Sequence, residues 1–198
     1  MVTPPLQLYR LYNHIMDKYI LDRNKAALVI VDIQERLVVA MDQKENVTTN
    51  CLHLIEAAKL LKIPTVVTEQ YPKGLGPTIQ ELTDAVPDYA PLEKITFDCC
   101  RGDGFLEKIA SLGKKQIILT GMETHVCVLQ TCLGLLKEGY TVHLVSDAVC
   151  SRKQTDYRTA REMMRDAGAV ITCTETVLFQ LLEKAGTPEF KVISKRIK

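Results

Sequence analysis

The sequence predicts a single-domain, three-layer α/β/α fold around a central, mostly parallel sheet of five or six strands. Three observations predict it. Continuous apolar, β-branched runs recur along the chain, as strands covered on both faces require. Segments with apolar residues spaced three and four apart lie between these runs, which is the alternation of βαβ units. The 198 residues suffice for one sizeable core and are short for two domains of ordinary size.

Taken in order, residues 26–32 (AALVIVD) read as the first strand. Residues 46–62 then set Val47, Cys51, Leu54, Ile55, Ala58 and Leu61 on one helix face, and Pro64 ends that helix before a second strand at 64–68 (PTVVT). A weaker strand candidate at 95–97 is followed by a turn at 101–104 leading into a short helix within 102–112. The strand at 116–121 (QIILTG) leads into a helix at 124–137, on which Val128, Leu129, Cys132, Leu135 and Leu136 form one stripe and Gly139 supplies a stop. A strand at 141–146 (TVHLVS), a helix at 155–167, a strand at 169–173 (AVITC) and a last helix at 174–185 complete the alternation. The domain is thus expected over 25–185, with an N-terminal segment at 1–24 and a C-terminal tail at 186–198. The stretch from Leu6 to Ile20 is apolar and aromatic without a strand pattern, and is the candidate contact with a second subunit.

Composition narrows the function classes. Twenty-five basic against 24 acidic residues leave a net charge of +1, so the broad positive field of a nucleic-acid binder is missing. No apolar run reaches the ~18 to 20 residues that cross a bilayer, and the first residues lack the apolar stretch of a secretion signal. A cytoplasmic protein with no membrane partner is the expectation. Seven cysteines without a C-x-x-C pair suit neither a disulfide framework nor a zinc knuckle, so most read as reduced and buried. Gly74-Leu75-Gly76 and Gly102-Asp103-Gly104 resemble phosphate loops superficially, but neither follows the first strand or continues as G-K-[ST]; both read as turns.

In open parallel sheets, ligands sit beyond the carboxyl ends of the strands. The polar residues there are Asp32, Thr68 and Glu69, the segment from Gly121 to Thr124, and Ser146 with Asp147. Cys127 follows in the first turn of a helix, where unpaired N–H groups and the helix dipole stabilise an anion and lower a thiol toward neutrality. From position alone it is either such an activated nucleophile or one of several buried thiols. Asp32 closes a wholly apolar strand, where a carboxylate needs a cation or a proton, or caps the next helix. Lys94 is either that cation or a solvated surface residue.

Three motifs together resemble one family: ALVIVDIQ with Asp32 and Gln34, PLEKITFD with Lys94, and ILTGMETHVCV with Cys127. They are similar to those of the isochorismatase-like cysteine hydrolases, over roughly residues 25–183. TVVTEQYPKGLGPT and VSDAV look like the branch that includes a bacterial octameric hydrolase of unknown substrate. The resemblance implies Cys127 as nucleophile, Asp32 as the proton-transferring group, and Lys94 as the residue that orients Asp32 and favours the thiolate. It implies a cis peptide at Met122–Glu123, with the N–H groups of Glu123 and Cys127 as oxyanion donors. Gln34, Tyr71, Phe97, Thr124 and His125 are the candidate substrate-binding residues. The implied reaction is hydrolysis of a small amide or related C–N bond with no cofactor, by a homo-oligomer, dimeric or larger. Two departures matter. The nicotinamidases of the family hold a metal with an Asp and two His after the second strand, and residues 68–77 here contain no His, so no metal is expected and nicotinamide is a poor candidate. Asp98, Cys99 and Cys100 replace small residues after the lysine segment. The competing expectation is a redox-responsive or scaffold protein of this fold without efficient hydrolysis, to which the adjacent Cys99 and Cys100 lend support.

Overall fold

The structure of the chain, a computed structural model, describes residues 16–198, and at its centre is strand β1 (Ala26–Val31), no residue of which exposes more than 1% of its surface. Five further strands join it: β2 (Thr65–Gln70), β3 (Leu92–Lys94), β4 (Gln116–Met122), β5 (Thr141–Cys150) and β6 (Val170–Thr172). Their order is β3-β2-β1-β4-β5-β6 and every neighbouring pair is parallel. Nine α-helices among the described residues connect and cover them. They are α1 (Glu35–Val38), α2 (Lys44–Leu61), α3 (Pro72–Leu75), α4 (Gln80–Ala85), α5 (Phe105–Ser111), α6 (Leu129–Lys137), α7 (Gln154–Asp166), α8 (Thr174–Leu182) and α9 (Pro188–Arg196).

Strand periodicity sorts β1 into two cores, because successive side chains point to opposite faces. Ala26, Leu28 and Ile30 pack with Leu54 of α2, Leu178 of α8 and Ile193 of α9. Ala27, Val29 and Val31 pack with Phe105 of α5, Cys132 of α6 and Met164 of α7. Burial on both faces is why the strand reads as one unbroken apolar run, each large side chain contributing about 1.5–3 kcal/mol. The result is a three-layer α/β/α fold. No described helix is long and apolar enough to cross a membrane.

Several elements differ from the sequence expectation. The third strand is Leu92–Lys94, not 95–97: Leu92, Glu93 and Lys94 pair with Thr68, Glu69 and Gln70, while Ile95 and Phe97 are 79% and 52% exposed. As a short edge strand covered on little of its length, it carries no apolar signature. Strand β5 runs on to Cys150, because a register shift opposite Leu119 to Gly121 lets Val149 and Cys150 pair again with Gly121 and Met122. The helix expected over 124–137 begins as a π-helical turn, Thr124–Val128, before α6. Residues 186–198 are not a plain tail, since the Thr187 hydroxyl caps α9 by accepting the Phe190 N–H at 3.1 Å and Ile193 is buried against α2. The segment proposed for subunit contact lies largely outside the described residues; at its end Met16, Tyr19 and Ile20 are exposed.

Candidate active site

Because β3, β2, β1 and β4 are consecutive in the sheet, their carboxyl ends gather Lys94, Thr68 with Gln70, Asp32 and the turn after Met122 along one edge. Asp32 is fully buried, with φ +52. A non-glycine residue in the left-handed region carries backbone strain that persists where the surroundings over-determine it. Here they do: the Asp32 N–H donates to the Thr68 carbonyl at 3.2 Å, and its carbonyl accepts from the Gln34 N–H at 3.0 Å. Its carboxylate accepts from the Thr68 hydroxyl at 2.6 Å through one oxygen and from Lys94 Nζ at 2.7 Å through the other.

Lys94 is therefore no surface lysine. Its side chain is 3% exposed, and its ammonium also donates to Gln70 Oε1 at 2.8 Å. Burial alone pulls this ammonium down, but the charge of Asp32, with Cys99 and Cys127 beside it, more than offsets the pull and holds it above its ordinary value. Gln70 is oriented in turn by donating to the Ile95 carbonyl at 2.9 Å. Thr68 and Gln70 sit two apart on β2, so their side chains share the face toward Asp32; that period-two pairing is the signal by which Gln70 was legible and was missed.

Cys127 lies in the π-helical turn, 5% exposed, close enough to Asp32 and Lys94 for both to act on it. Burial first, and then the Asp32 carboxylate, push the thiol above its ordinary value, while Lys94 pulls the other way and does not prevail. The lowered thiol expected from the helix start is thus corrected. Position at a helix start favours an anion, but here the start is buried and faces a carboxylate. Cys99, fully buried and with its thiol 3.8 Å from the Thr68 hydroxyl, is likewise pushed up to about 11 by burial.

The turn itself has three features. The Met122–Glu123 peptide bond is cis. Gly121, at φ +124, lets β4 approach β1 so closely that a Cβ there would lie 2.1 Å from the Val31 carbonyl oxygen. The Thr124 hydroxyl is buried without a partner among the described residues. Glu123 turns its carboxylate to Arg152 at 3.0 Å, and His125 places Nδ1 2.9 Å from the Ser151 hydroxyl.

A cleft of about 490 Å³ opens over Lys94, between Tyr71 and Lys73 on one side and Ile95, Arg101 and Asp103 on the other. Of the residues expected to bind substrate, Tyr71 lines this cleft, half exposed, whereas Gln34, Phe97, Thr124 and His125 do not. Gln34 is spent on the main chain. Its amide donates to the Gln70 and Gly76 carbonyls at 3.1 and 2.6 Å and accepts from the Gln70 N–H at 2.7 Å, so it fastens the loop that carries Tyr71. Among the described residues, no three His, Cys, Asp or Glu side chains gather as a metal site would require.

This geometry can be set beside known proteins. The family model for the isochorismatase domain matches residues 26–176. The chain belongs to the isochorismatase family. A curated member, the secreted isochorismatase effector Isc1 of Phytophthora sojae, is 41% identical over 88% of this chain and 85% of its own. The MAR1 ribonuclease of Caenorhabditis elegans is 38% identical with a TM-score of 0.83, over 89% of this chain and 91% of that one. YcaC is 27% identical with a TM-score of 0.84 in two structures, each over 89% of this chain. One, an octameric hydrolase of unknown specificity from Escherichia coli, is covered over 90% of its chain; the other, from Pseudomonas aeruginosa with hexane-2,5-diol and covalent acrylamide, over 91%. The chain therefore carries the isochorismatase-family hydrolase fold. Names as different as effector, ribonuclease and hydrolase of unknown specificity attach to it, so the name alone selects no substrate.

Proposed function

We propose that the protein is a cysteine hydrolase that opens a small amide or related C–N bond through a thioester on Cys127. The observation that carries this reading is the wholly buried Lys94–Asp32 pair, 2.7 Å apart and beside the Cys127 thiol. A buried ion pair contributes little net stability, so one aimed at a thiol is better explained by chemistry. In the proposed course Asp32 takes the thiol proton as Sγ attacks the carbonyl carbon, and the N–H groups of Glu123 and Cys127 bind the developing oxyanion. The C–N bond then breaks, and Asp32 returns the proton to the departing nitrogen. Water, deprotonated by Asp32, attacks the thioester; the acid leaves and the sulfur regains its proton. Lys94, 2.7 Å from the Asp32 carboxylate, keeps it aimed. The steps need this chain, the substrate and water.

Covalent acrylamide in the Pseudomonas YcaC, an electrophile that is also a primary amide, supports a nucleophile in this fold. The cleft over Lys94, whose lining includes neither Asp32 nor Cys127, has a volume in the ~300–1,000 Å³ range of small-molecule sites. We extend to this chain, also as proposals, assembly as a homo-oligomer, supported by the octameric relative, and a cytoplasmic location, supported by seven free cysteines.

The test is ammonia release from a panel of small primary amides and carbamoyl compounds by the intact protein and by Cys127→Ala. Turnover that disappears in the variant upholds the reading. No turnover on any amide, with Cys127 reversibly oxidised by peroxide, moves the assignment to a redox-responsive protein of the same fold.

A further inference from the structure

The turn that carries Cys127 is gripped from the neighbouring βα unit, by two residues with no place in the chemistry above. Glu123 directly follows the apolar strand β4 with its side chain 7% exposed, a position where a carboxylate requires a partner. Arg152 supplies one twice over: its main-chain N–H donates to Glu123 Oε2 at 3.0 Å, and its Nε donates to Oε1 and Oε2 at 3.2 and 3.0 Å. One residue earlier, the Ser151 hydroxyl meets His125 Nδ1 at 2.9 Å and accepts the His125 N–H at 3.4 Å. The far side of the same ring, Nε2, stands 3.7 Å from Asp156 of α7. Two consecutive residues between β5 and α7 thus hold both ends of the segment 123–125, and Thr124 lies buried between them.

We infer that Ser151 and Arg152 are positioning residues that keep the oxyanion-binding turn in register with the nucleophile. The inference rests on the proposed role of Cys127. An oxyanion donor acts only when its N–H points at the place the oxyanion will occupy, and the Glu123 N–H has no side-chain freedom of its own to find that place. The direction of the peptide is set by what holds residue 123. Its carboxylate is anchored to residue 152, and the ring two residues on is anchored to residue 151. Arg152 itself is 60% exposed and lies outside the cleft lining, so its removal touches neither the apolar cores nor the cleft and leaves the Glu123 carboxylate with the main-chain N–H of residue 152 alone.

The experiment uses two probes that treat an oxyanion differently. Acyl transfer from p-nitrophenyl acetate passes through a tetrahedral oxyanion, whereas alkylation of Cys127 by iodoacetamide displaces iodide at a saturated carbon and builds none. Arg152→Ala is expected to slow p-nitrophenolate release by about ten- to a hundredfold, less than the ~100- to 1,000-fold loss caused by removing a donor outright. Alkylation is expected to stay within about twofold, because the nucleophile itself is untouched. Arg152→Lys keeps the charge but loses the Nε–H that reaches both carboxylate oxygens, and recovers part of the rate. Ser151→Ala combined with Arg152→Ala loses more than either alone. A purely structural role would slow both probes together, so a parallel fall, or unchanged acyl transfer in the double variant, overturns the inference. Unchanged p-nitrophenolate release in Cys127→Ala overturns the nucleophile assignment and this inference with it. Loss in Cys127→Ala with none in Arg152→Ala overturns the positioning role alone.

Discussion

Replacing Lys94 by Met tests the centre of the site through stability rather than activity. The substitution keeps the apolar stem and removes the ammonium that Asp32 accepts from at 2.7 Å and that Gln70 accepts from at 2.8 Å. Asp32 is fully buried, so its carboxylate is left with the Thr68 hydroxyl and no counter-charge. Removing one partner of a buried pair costs about 3–5 kcal/mol, and the orphaned Gln70 oxygen adds about 1 kcal/mol. We therefore expect a loss of about 4–6 kcal/mol, or a fall in Tm of about 8–24 °C for a chain of this length. Lys94 titrates above 10.5, its ordinary value, so its contribution is complete at neutral pH. That contribution is lost only as pH rises through the raised folded-state value, a loss that Lys94→Met will not show. The assay is urea unfolding of the wild type, Lys94→Met, Asp32→Asn and the double variant. The two single losses should exceed the double loss by about 2–3 kcal/mol, since removing both charges leaves neither stranded. A loss under about 1 kcal/mol in Lys94→Met, or simple additivity, would refute the argument that the two charges are obligate partners.

Three further outcomes follow from the same geometry. Burial lowers His143 from 6.5 to about 4, so the unfolded chain takes the proton first; stability should fall by about 3 kcal/mol as pH drops from 6.5 to about 4. His143→Leu should flatten that slope in acid urea titrations, and an unchanged slope would count against it. Gly121→Ala places a methyl group 2.1 Å from the Val31 oxygen at φ +124, and should lower stability by about 3 kcal/mol or prevent folding; an unaltered urea midpoint would be inconsistent with the close approach of β1 and β4. Because burial and Asp32 raise the Cys127 thiol, its alkylation should keep accelerating into alkaline pH, and Asp32→Asn should speed it at any given pH while abolishing acyl transfer. A plateau of the alkylation rate near neutral pH would contradict the raised thiol.

The sheet was legible because strands covered on both faces have no choice but to be apolar throughout; Ala26–Val31 is the plain case. What escaped follows from the same physics. Leu92–Lys94 sits at the edge and serves the site, so its composition is polar and its strand character comes only from pairing with Thr68 to Gln70. Position draws notice to Asp32 at the end of an apolar strand and to Cys127 in the turn after another, but leaves each with a second reading and sets Lys94 in a loop; the roles of the three come from the motif resemblance. Gln34, Phe97, Thr124 and His125 were less legible, because side-chain direction in a turn depends on contacts far away in sequence. His125 turns to Ser151, 26 positions on, and Gln34 to Gln70, 36 positions on; neither partner is marked by any local pattern.

The raised thiol changes how the site must work. A cysteine lowered toward neutrality would stand as a thiolate before substrate arrives and would react with any electrophile or oxidant that reached it. Here burial raises the Cys127 thiol, and in the proposed mechanism the Asp32–Lys94 pair beside it is the acceptor for its proton. Transfer of that proton alone would leave a second charge in the same dry pocket. On the proposed course it would become favourable when a carbonyl carbon accepts the sulfur electrons and the new negative charge moves to an oxygen held by the turn 123–127. The burial that disfavours the resting thiolate also strengthens every hydrogen bond to that oxyanion, since both depend on the absence of water. On that proposal selectivity would reside less in the cleft lining than in the requirement that a substrate deliver a carbonyl oxygen to the turn, and the placement of Glu123 would then matter as much as the identity of Cys127.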